Sequence, residues 1–524
     1  AFVALTEFPL TANGKVDKRA LPEPEFETAA HYEYVAPRNE REAMLVEIWE
    51  QVLKADTVGV HDNFFELGGD SILSIQVISR AKRAGIHITA KQIFDYQTIA
   101  ELSEVARELQ DVVLAEQGLV SGDIPLTPIQ RWYLEPGPVD AHHFNQSVLL
   151  EVDRRLPLEK LKPCLEALMF QHDMLRARFT KMGQQWRQFY APVDAEDHLL
   201  AHTFEVRNLA GLPDNLRGEQ IEHLADEAQA SLNLSQGPVV RFVYFDLGDE
   251  APARLAIVIH HLVVDVFSWR ILLEDLQTAI AQALRGGKLD LGSKTTSFRQ
   301  WSKALHELAQ TSAMASEFAY WEALESRAVA PLPTDRPGDN DVASVRMVER
   351  SLDAPTTDQL LKQAGTAYRT EINDLLLTAL HNTLASWSGS PLIAVDLEGH
   401  GREVISDEID TSRTLGWFTT IYPVVLGDAS VGEPDQTIKC IKQQLREVPR
   451  KGLGYGLYRY LRADASARPA AGLKPDISFN YLGQLDQVME TGALLTQAAE
   501  QTTAEQSPRQ RRHYQLEVSA RVQN

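Results

Sequence analysis

The sequence predicts a multidomain protein in which a small all-α four-helix bundle precedes a two-lobed α/β domain. Between residues 40 and 110, apolar side chains recur at three- and four-residue spacing, which is typical of amphipathic helices. Beyond residue 123, β-rich segments alternate with helical ones, which predicts an α/β architecture. The length of 524 residues agrees with three or four domains of about 150 residues each.

The composition excludes several functional classes. The chain has 51 basic and 73 acidic side chains, a net charge of −22, and such a surface repels the phosphates of nucleic acids and of anionic lipids. No apolar run reaches the roughly 20 residues that span a bilayer, and the first residues lack the features of a signal peptide. Cys164 and Cys440 are the two cysteines, which excludes a disulfide scaffold or a cysteine-based metal site. We therefore expect a cytoplasmic protein that binds neither nucleic acid nor membrane.

Shifts in composition predict the domain boundaries. Stretches rich in proline, acidic residues or other polar residues separate the segments that have regular apolar periodicity. The resulting segments are the end of a preceding domain (1–25), a linker (26–39), the bundle (40–110), a second linker (111–123), a first α/β lobe (124–330), an inter-lobe linker (331–344) and a second α/β lobe (345–524).

Within these boundaries the pattern predicts individual elements. Four helical segments fall within the bundle and leave it a modest core. In the α/β region, the predicted strands are SVLLEV, RFVYFDL, LAIVIHHLVV and LIAVDLEG, and the predicted helices are LEALMFQHDMLRARF and SWRILLEDLQTAIAQAL.

A serine that follows two glycines marks the start of the second predicted helix. Gly68 and Gly69 allow a tight turn, and Ser71 opens the helix. One interpretation is a plain N-cap, because a serine oxygen accepts hydrogen bonds from the N–H groups at a helix start. The other is attachment of a phosphodiester, because a helix N-terminus stabilises a phosphate.

The motif FFELGGDSI on a four-helix frame resembles the peptidyl carrier proteins of the nonribosomal peptide synthetases. The resemblance implies that Ser71 carries covalent 4′-phosphopantetheine, added by a phosphopantetheinyl transferase, whose thiol holds the acyl chain. Asp70 in place of histidine resembles carriers that precede an epimerization domain. PLTANGKVDKRALP is similar to the last motif of an adenylation domain, which makes an upstream adenylation domain an expected partner. Its Lys15 is assigned no activity without the rest of that domain.

Two adjacent histidines end the strand LAIVIHH, and an aspartate follows four residues after the second of them. His260, His261 and Asp265 suggest acid–base chemistry, because histidine titrates near neutral pH. The alternative is a pair of structural histidines at a strand edge. A metal site is disfavoured, because no further cluster of metal-binding side chains lies beside the motif in the sequence.

HHxxxD resembles the superfamily of condensation domains, epimerization domains and chloramphenicol acetyltransferase-like acyltransferases. The resemblance implies that His261 faces a tunnel, with His260 in support, and that Asp265 is structural. Arg176, in HDMLRARF, is the expected partner of Asp265 in a salt bridge. The family has glycine where this chain has Val266, which introduces the alternative of a catalytically impaired scaffold that docks the carrier.

Five further stretches resemble epimerization-domain motifs, and they are PLTPIQRWYLE, VDLEGHGRE, TLGWFTTIYPV, VPRKGLGYG and FNYLGQLD. EGHGRE and FNYLGQ discriminate, since condensation domains do not usually carry both. Glu398 in the first of these two is therefore expected to be functional rather than a solvated loop carboxylate. By the same match, Asn480 and Tyr481 are candidate hydrogen-bond donors to a developing oxyanion. Trp417 forms either an apolar wall or plain core packing.

The chemistry of epimerization explains why two acid–base groups are needed. A thioester makes the α-proton of an aminoacyl group more acidic, and inversion removes a proton from one face and delivers one to the other. His261 and Glu398 are the expected pair, with no metal and no free cofactor. The expected function is therefore L-to-D epimerization of a carrier-bound aminoacyl or peptidyl thioester, which a downstream condensation domain consumes. The alternative reaction is peptide-bond formation by a condensation domain. The resemblance also leads us to expect further elements after residue 524.

Overall fold

The computed structural model divides the chain into two units, Ala1–Asp111 and Val112–Asn524. The residues that it describes are 34–69, 71–108, 115–192, 199–248, 251–336, 338–406, 408–428, 434–463, 472–484, 494–502 and 504–522. The predicted end of a preceding domain (1–25), which includes Lys15, lies outside the described residues, as does Asp70.

The first unit contains the predicted four-helix bundle. Its helices are α1 (Glu40–Leu53), α2 (Ser71–Arg83), α3 (Ala90–Asp95) and α4 (Ile99–Val105), and a short antiparallel pair joins β1 (Ile86–His87) to β2 (Arg107–Glu108). Asn39 caps α1 by accepting the Glu42 N–H at 2.9 Å. The core is apolar and includes Leu45, Trp49, Val52, Phe64, Val77, Ile93, Ile99 and Leu102.

The second unit contains two larger sheets and a small one. The first large sheet has the order β13-β4-β9-β8-β7, and the second has the order β11-β10-β12-β14. The strands are β3 (Gly122–Ile124), β4 (Asn145–Val152), β5 (Ala177–Met182), β6 (Gln185–Tyr190), β7 (Phe204–Asn208), β8 (Val240–Asp246), β9 (Ala253–His260), β10 (Ile393–Gly399), β11 (Thr420–Leu426), β12 (Ile477–Gln484), β13 (Leu495–Gln497) and β14 (Leu516–Val522).

Helices cover the two large sheets, as the alternating pattern predicts. The predicted α/β class is confirmed, because α7 (Asp214–Ala230) packs on β8 and β9 of the first sheet, while α12 (Ile372–Ser388) and α13 (Pro434–Glu447) pack on β10 and β11 of the second. The helices are α5 (Pro128–Leu134), α6 (Leu158–Gln171), α7 (Asp214–Ala230), α8 (Val266–Leu284), α9 (Phe298–Leu308), α10 (Ala315–Glu325), α11 (Ala354–Lys362), α12 (Ile372–Ser388), α13 (Pro434–Glu447) and α14 (Leu453–Gly456), followed by a π-helical turn (Leu457–Leu461).

Two local features differ from the sequence pattern. The helix predicted through LEALMFQHDMLRARF ends at Gln171, because His172 has an extended backbone, and the chain enters β5 at Ala177. The three-residue strand β13, from the predicted second lobe, pairs with β4 and so extends the sheet of the predicted first lobe. Among the described residues, no helix combines the length and the apolarity that crossing a bilayer requires.

Candidate active site

The backbone before α2 has the tight turn that the two glycines suggest. Gly68 has a φ of +93°, and a Cβ on Gly69 would overlap the Phe64 ring, so only glycine fits there. Ser71 is the first residue of the 13-residue helix α2. The N–H groups of a first helical turn have no intrahelical partner and stabilise a phosphate. The position of Ser71 therefore fits a phosphodiester on its oxygen.

His260 is a structural member of the histidine pair. It ends β9 and is fully buried. Its Nε2–H donates to the Ala141 carbonyl at 2.8 Å, while Nδ1 accepts the Leu262 N–H at 3.1 Å. Because both ring nitrogens are engaged and burial lowers the pKa of His260 to about 3, this imidazole is neutral and fixed in place.

His261 is held as a neutral imidazole with its lone pair on Nε2. Its Nδ1–H donates to the Val264 carbonyl at 2.9 Å. The Gln146 oxygen accepts the Trp269 indole N–H at 2.9 Å, which turns the Gln146 amide nitrogen toward His261 Nε2 at 3.1 Å. Burial lowers the pKa of His261, which further favours the neutral ring. The Nε2 lone pair can act as a general base once the hydrogen bond from Gln146 is released.

Aromatic side chains surround His261. Phe144 stacks on the imidazole at 4.9 Å between ring centroids, and Trp417 lies at 4.5 Å. Trp132 contacts Trp417 at 6.3 Å, and His513 in turn stacks on Trp132 at 4.0 Å. Trp417 is both buried and in contact with His261, so it belongs to the core and also forms part of the apolar environment of the imidazole.

Asp265 fixes the chain around the histidine turn. One carboxylate oxygen caps α8 by accepting the Ser268 N–H at 2.7 Å, and the other accepts the Phe418 N–H at 3.0 Å. Arg402 donates to the same carboxylate at 3.3 Å. The aspartate therefore connects the start of α8 to two later segments of the chain.

Arg402 is a buried cation that belongs to the EGHGRE segment. Its guanidinium donates to the carbonyls of Thr411 at 2.6 Å and Thr414 at 2.9 Å. It also lies over the rings of Phe418 at 3.8 Å and Phe267 at 4.5 Å. Through Arg402, the EGHGRE segment is bonded to the HHxxxD motif.

The predicted partner of Asp265 was wrong. Arg176 instead pairs with Asp173, three residues earlier in the same short helical turn, and Lys294 reaches that carboxylate at 3.1 Å. Arg176 is buried there, in a charge cluster of its own. A local acidic neighbour satisfies Arg176, and Arg402, 137 residues after Asp265, takes the predicted role.

Val266 lies in ordinary helical backbone. It is the first residue of α8, and its side chain is 38% exposed. The glycine that the family has at this place could have been needed for a left-handed φ, but a right-handed helical position accepts valine. The structure thus removes backbone strain as a reason for impaired activity.

Glu398 lies on the second sheet, near the carboxyl end of β10. The Asn480 amide N–H donates to its carboxylate at 2.7 Å. Solvent reaches Glu398, yet surrounding protein atoms and, second, the Glu517 carboxylate raise its pKa to about 7. Both protonation states are therefore populated near neutral pH, as a group that acts as acid and as base requires.

The two residues expected as oxyanion donors have different surroundings. Asn480 donates to Glu398 and so orients the carboxyl group. Tyr481 is the next residue of β12, so its side chain points to the opposite face of the sheet. Of the two, Asn480 shares a face with Glu398.

A glycine turn brings the Glu398 segment close to the aromatic cluster at His261. Gly401 has a φ of +66°, and a Cβ there would overlap the Phe418 carbonyl oxygen, so only glycine permits this approach. Ile421 pairs with Glu398 across β10 and β11, four residues after Trp417, which contacts His261. Segment 417–421 therefore connects the surroundings of His261 with those of Glu398. That the two groups face each other across a channel stays a prediction.

Several residues of this region had not been singled out from the sequence. Arg402 could have been found, because it stands inside the EGHGRE motif. Asp396 and Trp132 likewise stand inside the quoted stretches VDLEGHGRE and PLTPIQRWYLE. The others lie outside the quoted motifs and carry no local signal, and they are Phe144, Gln146, His513 and Tyr514. Within the described residues, no group of three or more His, Cys, Asp or Glu side chains is placed to hold a metal ion.

Comparison with known proteins gives two family matches. The model described as "Condensation domain" matches residues 120–524, and the one described as "Phosphopantetheine attachment site" matches residues 44–106. A linear gramicidin synthase protein from Brevibacillus parabrevis is 45% identical over 100% of this chain and 10% of its own length. Surfactin synthase subunit 1 from Bacillus subtilis (strain 168) is 40% identical over 100% of this chain and 14% of its own length. The chain thus spans a small part of these relatives.

Solved structures agree with the family matches. The epimerization domain from the third module of tyrocidine synthetase B superposes with a TM-score of 0.70 at 35% identity, over 78% of this chain and 90% of that one. The condensation-domain match covers more than half of the chain, and the attachment-site match falls on the bundle that begins with α1. The chain therefore belongs to the condensation-domain family of the nonribosomal peptide synthetases, and it carries a phosphopantetheine attachment domain ahead of its condensation-type domain.

Proposed function

We propose that the second unit epimerizes, from L to D at Cα, an aminoacyl or peptidyl thioester carried on Ser71. One observation carries this proposal: the Glu398 carboxyl, held by the Asn480 amide, and the His261 imidazole lie in surroundings that segment 417–421 connects. The likeness to an epimerization domain of tyrocidine synthetase B supports it further.

Inversion at Cα needs two groups with complementary protonation. One group removes the α-proton from one face while the other delivers a proton to the opposite face. His261 offers an unprotonated Nε2, and Glu398 populates both protonation states near neutral pH. The proposal therefore requires the two side chains to approach Cα from opposite faces.

The surrounding residues hold these two groups in position. Val264 and Gln146 fix the His261 ring by accepting from Nδ1–H and donating to Nε2. Asn480 holds the Glu398 carboxyl. The aromatic cluster of Phe144 and Trp417 excludes water from one side of the imidazole, which strengthens electrostatic interactions there.

Covalent 4′-phosphopantetheine supplies a thioester, which acidifies the α-proton, and a flexible tether, which raises the effective concentration of the substrate. At Ser71, the N-terminus of α2 would stabilise the phosphate. The proposed partners are a phosphopantetheinyl transferase, an upstream adenylation domain and a downstream condensation domain. The proposed compartment is the cytoplasm, in keeping with the free thiols of Cys164 and Cys440.

The test is hydrogen exchange at Cα. The full chain is loaded with an L-aminoacyl-phosphopantetheine and incubated in D₂O, and the amino acid is then released and its enantiomers separated. We expect deuterium uptake and D-enantiomer in the wild type, and loss of both in His261→Ala and Glu398→Gln. Intact-protein mass spectrometry confirms loading, and Ser71→Ala should take up no arm. An Asp123→Asn variant, which changes an exposed carboxylate, is the matched control. Unchanged L-amino acid without deuterium in the loaded wild type would refute the proposal.

Peptide-bond formation is the second candidate, favoured by the condensation-domain match and by the HHxxxD motif that both reactions share. Supplying a second loaded carrier distinguishes the two, since a condensation domain would then form a dipeptide. The impaired-scaffold alternative predicts that Val266→Gly gains exchange over an inactive wild type.

A further inference from the structure

A second carboxyl group lies beside Glu398 on the same strand. Asp396 and Glu398 are two residues apart on β10, so their side chains leave the same face of the sheet, about 6.6 Å apart along the strand. The Tyr514 hydroxyl donates to Asp396 Oδ2 at 2.9 Å, and Tyr514 is buried. Each carboxyl thus has its own donor, Tyr514 for Asp396 and Asn480 for Glu398.

The two carboxyl groups influence each other electrostatically. Burial, opposed by the Tyr514 hydrogen bond and assisted by the Glu398 charge, raises the pKa of Asp396 to about 7. Because such an interaction is mutual, an ionised Asp396 also raises the pKa of Glu398. Two like charges at this separation disfavour the doubly ionised state.

The other groups that face the pair are mostly acids or phenols. From β14, Glu517 faces Glu398, and Arg512 binds Glu517 at 3.1 Å. Two further titratable neighbours are Tyr455, in VPRKGLGYG, and Tyr460, in the π-helical turn after it. At the end of the EGHGRE motif, His400 lies 3.2 Å from Glu403, and Lys451 is near both. Arg512 is thus engaged by Glu517, and Lys451 acts on Glu403 and His400.

We propose that Asp396 and Glu398 form a coupled carboxyl pair that holds one proton between them at neutral pH. Asp396 is then a positioning residue, which acts through Glu398 and sets its protonation, and Tyr514 fixes Asp396. The catalytic consequence rests on the proposed epimerization, but the pair itself does not. Such a pair explains how one carboxyl could serve as acid toward one enantiomer and as base toward the other.

The experiment is a carboxyl ¹³C NMR titration of the full chain labelled at Asp and Glu, with Glu398 assigned from the signal lost in Glu398→Gln. In the wild type we expect the Glu398 signal to titrate near pH 7 in two steps. In Asp396→Asn the Glu398 signal should titrate in one step, with a midpoint about one pH unit lower, because the Asp396 charge is gone. The shift is modest because solvent weakens the interaction between the two carboxyl groups over about 6.6 Å.

The Tyr514→Phe variant distinguishes coupling between the two carboxyl groups from a general structural change at the site. Removing the hydroxyl disfavours ionised Asp396, so the Asp396 midpoint should rise while the Glu398 midpoint falls. A merely loosened site would move both midpoints toward the ordinary carboxyl range. Asp435→Asn, which changes a carboxylate in the first turn of α13, is the control and should move neither midpoint. The proposal is overturned if the Glu398 midpoint is the same in the wild type and in Asp396→Asn. It is also overturned if Tyr514→Phe shifts the Asp396 and Glu398 midpoints in the same direction. Because NMR does not depend on turnover, this failure is distinct from an absence of Cα exchange.

Discussion

Removing the charge of Asp265 measures how strongly Arg402 holds the HHxxxD motif. In Asp265→Asn, the side-chain oxygen can still accept the Ser268 N–H, so the helix cap survives while the negative charge is lost. Arg402 keeps its bonds to the carbonyls of Thr411 and Thr414, but its buried charge has lost its counter-ion. The amide nitrogen of asparagine cannot accept the Phe418 N–H, so that hydrogen bond is lost as well, and the double variant with Arg402 is needed to isolate the ion pair.

The expected magnitude follows from the geometry. At the 3.3 Å separation, the gross Coulomb energy is about 5 kcal/mol with an effective dielectric constant of 20. Both side chains are buried, and leaving one charge of a buried pair uncompensated costs about 3–5 kcal/mol. We expect the free energy of unfolding to fall by about 3–5 kcal/mol in Asp265→Asn and by a similar amount in Arg402→Met. The double variant should lose about 3 kcal/mol less than the sum, because no lone charge remains.

Urea unfolding of the full chain, followed by tryptophan fluorescence, supplies the free energies. Seven of the eight tryptophans lie after residue 111, so the signal reports chiefly on the second unit. The control is Asp153→Asn, which removes a carboxylate from an exposed pair with Arg155 and should leave the urea midpoint nearly unchanged. Additive losses in the Asp265 and Arg402 variants would refute the reasoning.

Three further predictions concern the same region. Gln146→Glu should raise the pKa of His261, because it places a carboxylate beside Nε2. An equal or lower His261 pKa in a histidine NMR titration would contradict the placement of Gln146 beside Nε2. Gly401→Ala should destabilise the second unit by about 2 kcal/mol or more, from the left-handed φ and the contact with Phe418, and an unchanged melting temperature would contradict this. Raising the pH from about 5 to 8 should lower the melting temperature, since folded Asp396 keeps its proton up to about pH 7 and the unfolded chain loses it near 3.8. Thermal scans should show a smaller loss in Asp396→Asn.

Local pattern was enough to predict the bundle and the positions of the motifs. The helix α1 begins at Glu40, where apolar periodicity starts, and its stripe is buried as its 3.6-residue period requires. The strand that ends in His260 could be recognised from an apolar run bounded by polar residues. Such features depend on neighbours within one element, which the sequence displays directly.

Partners across the fold could not be predicted in the same way. Local pattern gives no way to rank Arg176 as a partner of Asp265 against Arg402, which lies 137 residues after the aspartate. The crossing of β13 to β4 rests on three residues, too few for a periodic signal. Asn480 was correctly placed in the site region, but its bond to Glu398 depends on the parallel pairing of β10 with β12, which brings two distant motifs side by side.

The segment from Asp396 to Arg402 explains why one short motif can serve two tasks. Strand alternation places Asp396 and Glu398 on one face, and the turn at Gly401 then redirects the chain so that Arg402 reaches Asp265. Because the side-chain period of a strand is two, inserting one residue after Leu397 would move Glu398 to the opposite face while leaving the turn intact. The spacing, rather than the residue types alone, therefore joins the carboxyl pair to the ion pair that holds the histidine motif.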